Sequence, residues 1–274
     1  MTHQSLVKPP LVMGIVNVTP DSFSDGGRHA TAEAALVHAL KLIEQGADVL
    51  DVGGESTRPG SDPVDEAEEI ARVAPLIAEI RARWGGRISI DTMKPAVARA
   101  AVVAGATMWN DVTALNHAPD SLATAAELGC EVVLMHMKGA PKTMQDDPRY
   151  DDVVAEVVAF LAARAEAAVA AGIAREKIWL DPGIGFAKTT AHNLTLTARL
   201  GSLVNLGFPV LYAASRKRLI QGVDAAAREA GDRLGGSLAL ALEGGRRGAR
   251  MVRVHDVRET VQALKLQAAV TAAG

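Results

Sequence analysis

Short apolar runs alternate with longer stretches of helical period along the whole chain, and the alternation repeats eight times without a break in composition. The runs predict strands at Leu11–Val16, Asp48–Val52, Ile88–Ile90, Thr107–Trp109, Glu131–Met135, Lys177–Leu180, Pro209–Ala213 and Met251–Val254. Between them, apolar residues recur three and four apart. Leu36, Leu40 and Ile43 do so within a helix predicted over Thr31–Gln45, and Val257, Val261, Leu264 and Ala268 within another over Asp256–Val270. Gly46, Gly105, Gly129 and Gly172 stand where helical stretches give way to the next strand, the place of a helix-ending glycine. Strand then helix, eight times over, predicts an α/β fold, a single (β/α)8 TIM barrel spanning residues 1–274 as one domain. An open doubly wound sheet has the same local periods and is the alternative; eight units favour closure.

The longest connections are 17–30, 53–64 and 136–150, the strand-to-helix loops 1, 2 and 5. A barrel gathers such loops at the rim where its chemistry is placed. The first polar positions after the strands are Asn17, Glu55 with Ser56, Thr57 and Arg58, Asp91, Asn110 with Asp111, His136, Asp181, Ser215 to Arg218, and Arg253 to His255. In a barrel these groups converge on one mouth. Taken singly, they and their neighbours have structural explanations: Thr92 as cap of the third helix, Asp181 before Pro182 as a turn, and Asp256 with Glu259 as a capping box.

Composition narrows the classes. Of 274 residues, 49% are hydrophobic but only 3% aromatic, so the core is aliphatic. The net charge of −3 arises without a block of one sign, and few aromatics are available to stack on bases, which argues against nucleic acid as a partner. A lone Cys130 allows neither an intramolecular disulfide nor a thiolate zinc site and suits a reducing, cytoplasmic compartment. The N-terminus lacks the pattern of an export signal. The Ala/Val-rich tract 153–173 carries Glu156, Arg164 and Glu166, which fits a helix in water and not a membrane span.

The charged rim residues divide by position. Arg216, Lys217 and Arg218 after strand seven, with Arg253 and His255 at strand eight, occupy the loops where barrels often bind phosphate, and Gly235–Gly236 is a weaker candidate for the same region. Asp91, Asn110 and Asp181 offer two carboxylates and an amide, suited to a flat heterocycle with an amino-pyrimidinone edge. The seven histidines are scattered, which disfavours an all-protein transition-metal site; Mg2+ held by few protein ligands and by substrate phosphate is compatible.

At these residues the sequence resembles the dihydropteroate synthases. The matching segments are MGIVNVTPDSFSDGG at 13–27, DVGGESTRPG at 51–60, SIDT at 89–92, WNDV at 109–112, LMHMKG at 134–139, DPGIGF at 181–186, SRK at 215–217 and RVHDV at 253–257, one per predicted strand. The resemblance implies a transferase that joins 4-aminobenzoate to (7,8-dihydropterin-6-yl)methyl diphosphate, giving 7,8-dihydropteroate and diphosphate. It implies that Asp91, Asn110 and Asp181 bind the pterin edge, that Lys217 reaches its carbonyl side, and that Arg253 lies over its face. Val112, Met135 and Phe186 would form apolar walls. Asn17 would ligate Mg2+, and His255, Thr57 and Arg253 would hold the diphosphate. Thr57, Arg58 and Pro59, with Ser215 and a first-loop lid around Asp21, Ser22 and Phe23, would enclose the aminobenzoate. Lys217, Arg253, His255 and Asp91 are the implied catalytic set, without a covalent nucleophile, and the family implies a homodimer.

Two positions depart from the family pattern. Ala213 stands where glycine is frequent, and Arg218 where serine is frequent near the aminobenzoate carboxylate. Arg218 either turns outward or pairs with that carboxylate. Two rivals remain: a methyltransferase that takes a methyl group from a reduced folate, which would not need SRK plus RVH, and a pterin-binding homologue without transfer activity.

Overall fold

In the computed structural model, which describes residues 9–18, 28–56, 62–139, 144 and 147–273, eight strands lie parallel in one sheet. They are β1 Leu11–Asn17, β2 Val49–Gly53, β3 Arg87–Asp91, β4 Met108–Asp111, β5 Glu131–Met135, β6 Ile178–Asp181, β7 Leu211–Tyr212 and β8 Met251–Val254. The order is β6-β5-β4-β3-β2-β1-β8-β7, and a parallel bridge from Leu180 to Val210 joins the two ends into a barrel. Closure rules out the open sheet. Around it run α1 Arg28–Glu44, α2 Glu66–Arg83, α3 Pro95–Ala104, α4 Ser121–Leu128, α5 Val153–Ala170, α6 Thr190–Ala198, α7 Gly201–Val204, α8 Arg218–Val223, α9 Leu234–Arg246 and α10 Val257–Ala273.

Side chains alternate across a strand, so a barrel sorts each strand into an inner and an outer set. The outer set, including Val12, Leu50, Ile88, Trp109, Val132, Ile178, Tyr212 and Val252, packs beneath the helices in one large apolar cluster. The inner set begins with a smaller cluster of Met13, Val49, Met108, Val133, Trp179, Leu211 and Met251, which plugs the barrel. Each such buried side chain contributes roughly 1.5–3 kcal/mol. Two residues further along the strands the same inward direction brings Ile15, Asp51, Asn110, Met135, Asp181, Ala213 and Arg253 to the level above the plug, and Asp91 follows buried Ser89 in the same way. The polar rim and the apolar plug are successive turns of one period-two pattern.

Local signals hold the helices in register. Asp65 caps α2 by accepting from the Ala67 amide at 2.8 Å, and Asp152 caps α5 by accepting from Val154 and Ala155, each cap worth about 1 kcal/mol. Gly105 and Gly129 end α3 and α4 with left-handed φ, and Gly46 and Gly172 share that conformation, as their positions predict. The 153–173 tract forms α5, which buries Val153, Val154, Val157, Leu161, Ala165 and Ala168 and turns Arg164 to the carbonyls of Ala114 and Leu115 at 2.8 Å each. Among the described residues no helix is long and apolar enough to cross a membrane.

The strand ends differ from the sequence expectation in a consistent way. Asn17, Asp91, Asp111 and Asp181 lie inside strands as their closing residues, with Asn110 one residue before the end of β4, because ladder pairing runs on past the last apolar side chain. Strand seven is shorter than Pro209–Ala213, and α8 and α9 fill the stretch before β8. Gly235 and Gly236 lie within α9 and not in an anion-binding loop; a Cβ on Gly236 would stand 2.5 Å from Ile220. Thr92 precedes α3 and accepts from the Lys94 amide at 3.2 Å, while Lys94 takes the capping position. Asp256 is claimed by Arg216, whose Nε and Nη2 donate to its two carboxylate oxygens at 3.0 and 2.5 Å.

Candidate active site

The inner polar residues meet at the C-terminal mouth of the barrel. Arg253 of β8 donates through Nε to Asp51 at 2.5 Å and through Nη2 to Asp91 at 2.8 Å, and Asn110 donates to the same Asp51 oxygen at 3.2 Å. Asp51 is wholly buried, and Asp91 and Asn110 nearly so. One oxygen of each carboxylate, Asp51 Oδ1 and Asp91 Oδ1, is buried with no hydrogen-bond partner among the described residues. An unpaired buried acceptor costs about 1–3 kcal/mol, and of the two residues only Asp91 also borders the cleft. Burial pushes Asp91 up to about 7, with Arg253 pulling it down and Asp51 adding repulsion. Asp181 is pushed up to about 6 by burial, opposed by the Gly183 amide at 2.7 Å and by the positive field of Lys217 and Arg253.

Beside this polar floor stands an apolar wall of Val112, Met135, Met144, Phe186 and Ala187, with the Lys217 ammonium 4.3 Å from the centre of the Phe186 ring. The cleft above, about 810 Å³, is lined by Asn17, Glu55, Ser56, Asp91, Phe186, Lys188, Ser215, Lys217, Arg218, Arg253 and His255, among others. All five basic residues inferred for the anion-binding loops, Arg216, Lys217, Arg218, Arg253 and His255, border it. Ser215 Oγ sits 3.1 Å from His255 Nδ1 and accepts from the His255 amide at 3.2 Å, tying the loops after β7 and β8 together. Arg216, left-handed at φ +57, turns away to Asp256, with its amide on Ser237 and its carbonyl on Arg233. It braces the loop, with its charge committed to Asp256. Arg218 opens α8, exposed at the cleft.

Not all strand-end groups reach the mouth. Asp111 and His136 follow inward-facing Asn110 and Met135 by one residue, so the alternation sends them outward. Asp111 accepts from Thr113 and Leu115, and burial pushes it up to about 7. His136 packs edge-on against Phe160 with ring centroids 5.0 Å apart and is held down to about 3 by burial and by Lys188. Glu55 pairs with Lys94, which also holds buried Glu69 at 2.6 Å and the Val64 carbonyl at 2.6 Å, tying the two described stems of loop 2 to β3 and α2. Thr57, Arg58 and Pro59, and Asp21, Ser22 and Phe23, lie outside the described residues.

Asp51 was absent from the sequence-derived candidates, although DVGG places it on the same face as Val49 and therefore on the inner wall. Among the described residues no group of three or more His, Cys, Asp or Glu side chains is arranged to hold a metal. Asn17 brings one hard amide oxygen to the cleft, a donor set that fits a cation completing its shell with substrate oxygens and water.

The model of the family described as "Pterin binding enzyme" matches residues 13–255. A dihydropteroate synthase of Escherichia coli (strain K12) is 48% identical over 265 residues, covering 96% of this chain and 93% of that protein. Among solved structures, dihydropteroate synthase of Xanthomonas albilineans with 4-aminobenzoic acid superposes with a TM-score of 0.91 at 52% identity, covering 97% of this chain and 94% of the other. The same enzyme in complex with 7,8-dihydropteroate gives 0.87 at 49% identity, with 97% and 95% covered.

Proposed function

Since the chain belongs to the pterin-binding enzymes, as a pterinylmethyl transferase of the dihydropteroate synthase kind, we propose that it condenses 4-aminobenzoate with (7,8-dihydropterin-6-yl)methyl diphosphate. The products are 7,8-dihydropteroate and diphosphate, in folate biosynthesis. The observation that carries this reading is the unpaired, buried Asp91 Oδ1 beside Arg253, at the level where Asn110 and Asp181 also face inward. A donor-rich amino-pyrimidinone edge satisfies those acceptors, and an acceptor-rich ring leaves them orphaned. The ligands named for the Xanthomonas albilineans complexes, 4-aminobenzoic acid and 7,8-dihydropteroate, support the same substrate and product.

In this reading Asp91, Asn110 and Asp181 bind the pterin edge, Lys217 its carbonyl side, and Arg253 its face, between walls of Val112, Met135 and Phe186. His255 and Arg253, with Thr57, bind the diphosphate, and Ser215, Thr57, Arg58 and Pro59, together with Asp21, Ser22 and Phe23 of the first loop, bind the aminobenzoate. Asn17 would hold Mg2+, which would supply positive charge to stabilise the departing diphosphate. Arg253 and His255 do the same from the protein side, so the bond to the leaving oxygen breaks ahead of amine attack. The aryl amine is neutral at pH 7 and needs no strong general base. The protein works as a homodimer in the cytoplasm; Leu266 and Val270 of α10, 66% and 67% exposed, offer an apolar face for a second copy.

Supplying the pterin diphosphate, 4-aminobenzoate and Mg2+ should release diphosphate and form dihydropteroate. Folded protein that gives no product above background overturns the reading. Pterin binding without turnover identifies a non-catalytic homologue.

A further inference from the structure

The loop after β6 is wound against ordinary backbone preference: Gly183, Gly185 and Ala187 have φ of +67, +83 and +50. That winding turns the carbonyls of Gly183 and Phe186 to a single point, which the Lys188 ammonium occupies at 3.0 and 2.9 Å. His136 completes the surround, with its carbonyl 3.3 Å and its ring Nδ1 3.0 Å from the same Nζ. Gly183 has no room for a side chain, since a Cβ would lie 2.0 Å from the His136 carbonyl oxygen. The rest of the loop is pinned from outside: the Tyr150 hydroxyl donates to Ala187 at 3.0 Å, and Asn193 accepts from the Gly185 amide at 2.8 Å and donates to the Lys188 carbonyl at 3.3 Å.

Lys188 is only 3% exposed. Its surround, three carbonyls and an imidazole nitrogen, is the kind of oxygen-rich nest that binds a small monovalent cation, here filled by the chain's own side chain. An ammonium has three donors and no acceptor, matching neighbours that are all acceptors once His136 is neutral. A neutral amine would turn a lone pair toward one of them. Burial pushes the Lys188 ammonium down to about 7; of the facing charges, the Asp181 carboxylate favours the ammonium and Lys217 opposes it.

We propose that Lys188 is a positioning residue for the pterin ring, its ammonium filling a carbonyl cage that holds the loop between Asp181 and Phe186 in the shape that binds pterin. At one end of that loop Asp181 accepts from the Gly183 amide, and at the other the Phe186 ring stands against Met135, Val112 and the Lys217 ammonium. Two proposed pterin contacts are therefore carried by a backbone whose inward carbonyls need a cation. The inference rests on the transferase reading above.

Lys188→Ala removes the ammonium and leaves room for a small amine. The KM for the pterin diphosphate should rise about tenfold or more, as buried acceptors lose their partner, with the KM for 4-aminobenzoate unchanged. Ethylammonium should restore both that KM and the melting temperature, and tetramethylammonium at equal ionic strength should restore neither. A folded variant with the parental pterin KM, or one deaf to ethylammonium, overturns the proposal. If Lys188→Ala does not fold, Lys188→Gln, which keeps two donors without charge, should show the same selective rise, and a parental KM there overturns the proposal equally. Wild-type protein that forms no dihydropteroate overturns the transferase reading and the positioning role with it, whereas the melting response to ethylammonium reads the cage alone.

Discussion

Replacing Asp91 by Asn separates the stability of the empty site from its affinity. The substitution keeps the volume and one oxygen for Arg253 Nη2, now 2.8 Å from the carboxylate, and removes the charge. In the empty protein that charge is a burden: burial lifts the carboxyl from 3.8 to about 7. Folding therefore takes up a proton in that window, and this group's contribution to stability is full below about pH 4 and lost as pH rises through 7. Asn has no such loss, so at pH 8 the variant should melt no more than about 4 °C below the parent, and its pH slope should be shallower. Binding should move the other way. The orphaned Oδ1 becomes, in one of the two amide orientations, a donor facing the donors of the pterin, and in the other leaves Arg253 facing an NH2 group. Either loses about 2–4 kcal/mol, roughly 30- to 1000-fold in Kd. Calorimetric titration with the pterin diphosphate, paired with melting curves at pH 5 and 8, reads both quantities. Parental affinity removes Asp91 from the site. A large drop in melting temperature at pH 8 makes Asp91 a structural partner of Arg253 and refutes the division between fold and function.

Asp51→Asn should do the reverse of Asp91→Asn, destabilising by about 3 kcal/mol because the wholly buried carboxylate holds both Arg253 and Asn110; an unchanged melting temperature would contradict this. Lys217→Ala should lower kcat/KM about 100-fold by removing a charged donor from the pterin side of the cleft, and an unchanged kcat/KM reduces Lys217 to a partner of the Phe186 ring. Arg218→Ser should raise the KM for 4-aminobenzoate alone if the guanidinium reaches the carboxylate, with equal KM values establishing the outward orientation. Asp111, lifted to about 7 by burial, contributes stability that is lost as pH rises toward 7, so Asp111→Asn should flatten the fall in melting temperature between about pH 4 and 7; an unaltered slope places that titration elsewhere.

The sequence carried the barrel and most of the mouth, for a physical reason: both are written in short periods. An inner position two residues past Val49, Met108, Trp179 or Met251 is inner as well, so rim chemistry inherits its direction from the plug. That rule locates Asp51, which a search of the first polar positions after each strand does not reach, because it lies inside β2. It also excludes Asp111 and His136, which strand-end polarity alone had sent to the mouth. What the periods do not encode is pairing across many residues. Asp256 looks like a cap until Arg216 reaches it, Tyr150 has no evident task until its hydroxyl meets Ala187, and Lys188 is one more lysine until the loop closes around it.

The barrel is not equally strong around its circumference. β7 supplies only Leu211 and Tyr212 to the ladder, and among the described residues its junction with β6 is the Leu180–Val210 bridge and the Leu180 amide on the Pro209 carbonyl at 3.0 Å. A hoop yields at its thinnest joint, so amide exchange by local opening should begin along this seam. The loops on either side of it carry Asp181 through Lys188 and Ser215 through Lys217. Breathing of the barrel and widening of its mouth are then one motion, and a substitution that stitched β6 to β7 would stiffen the fold at the very place where a ligand must enter and leave.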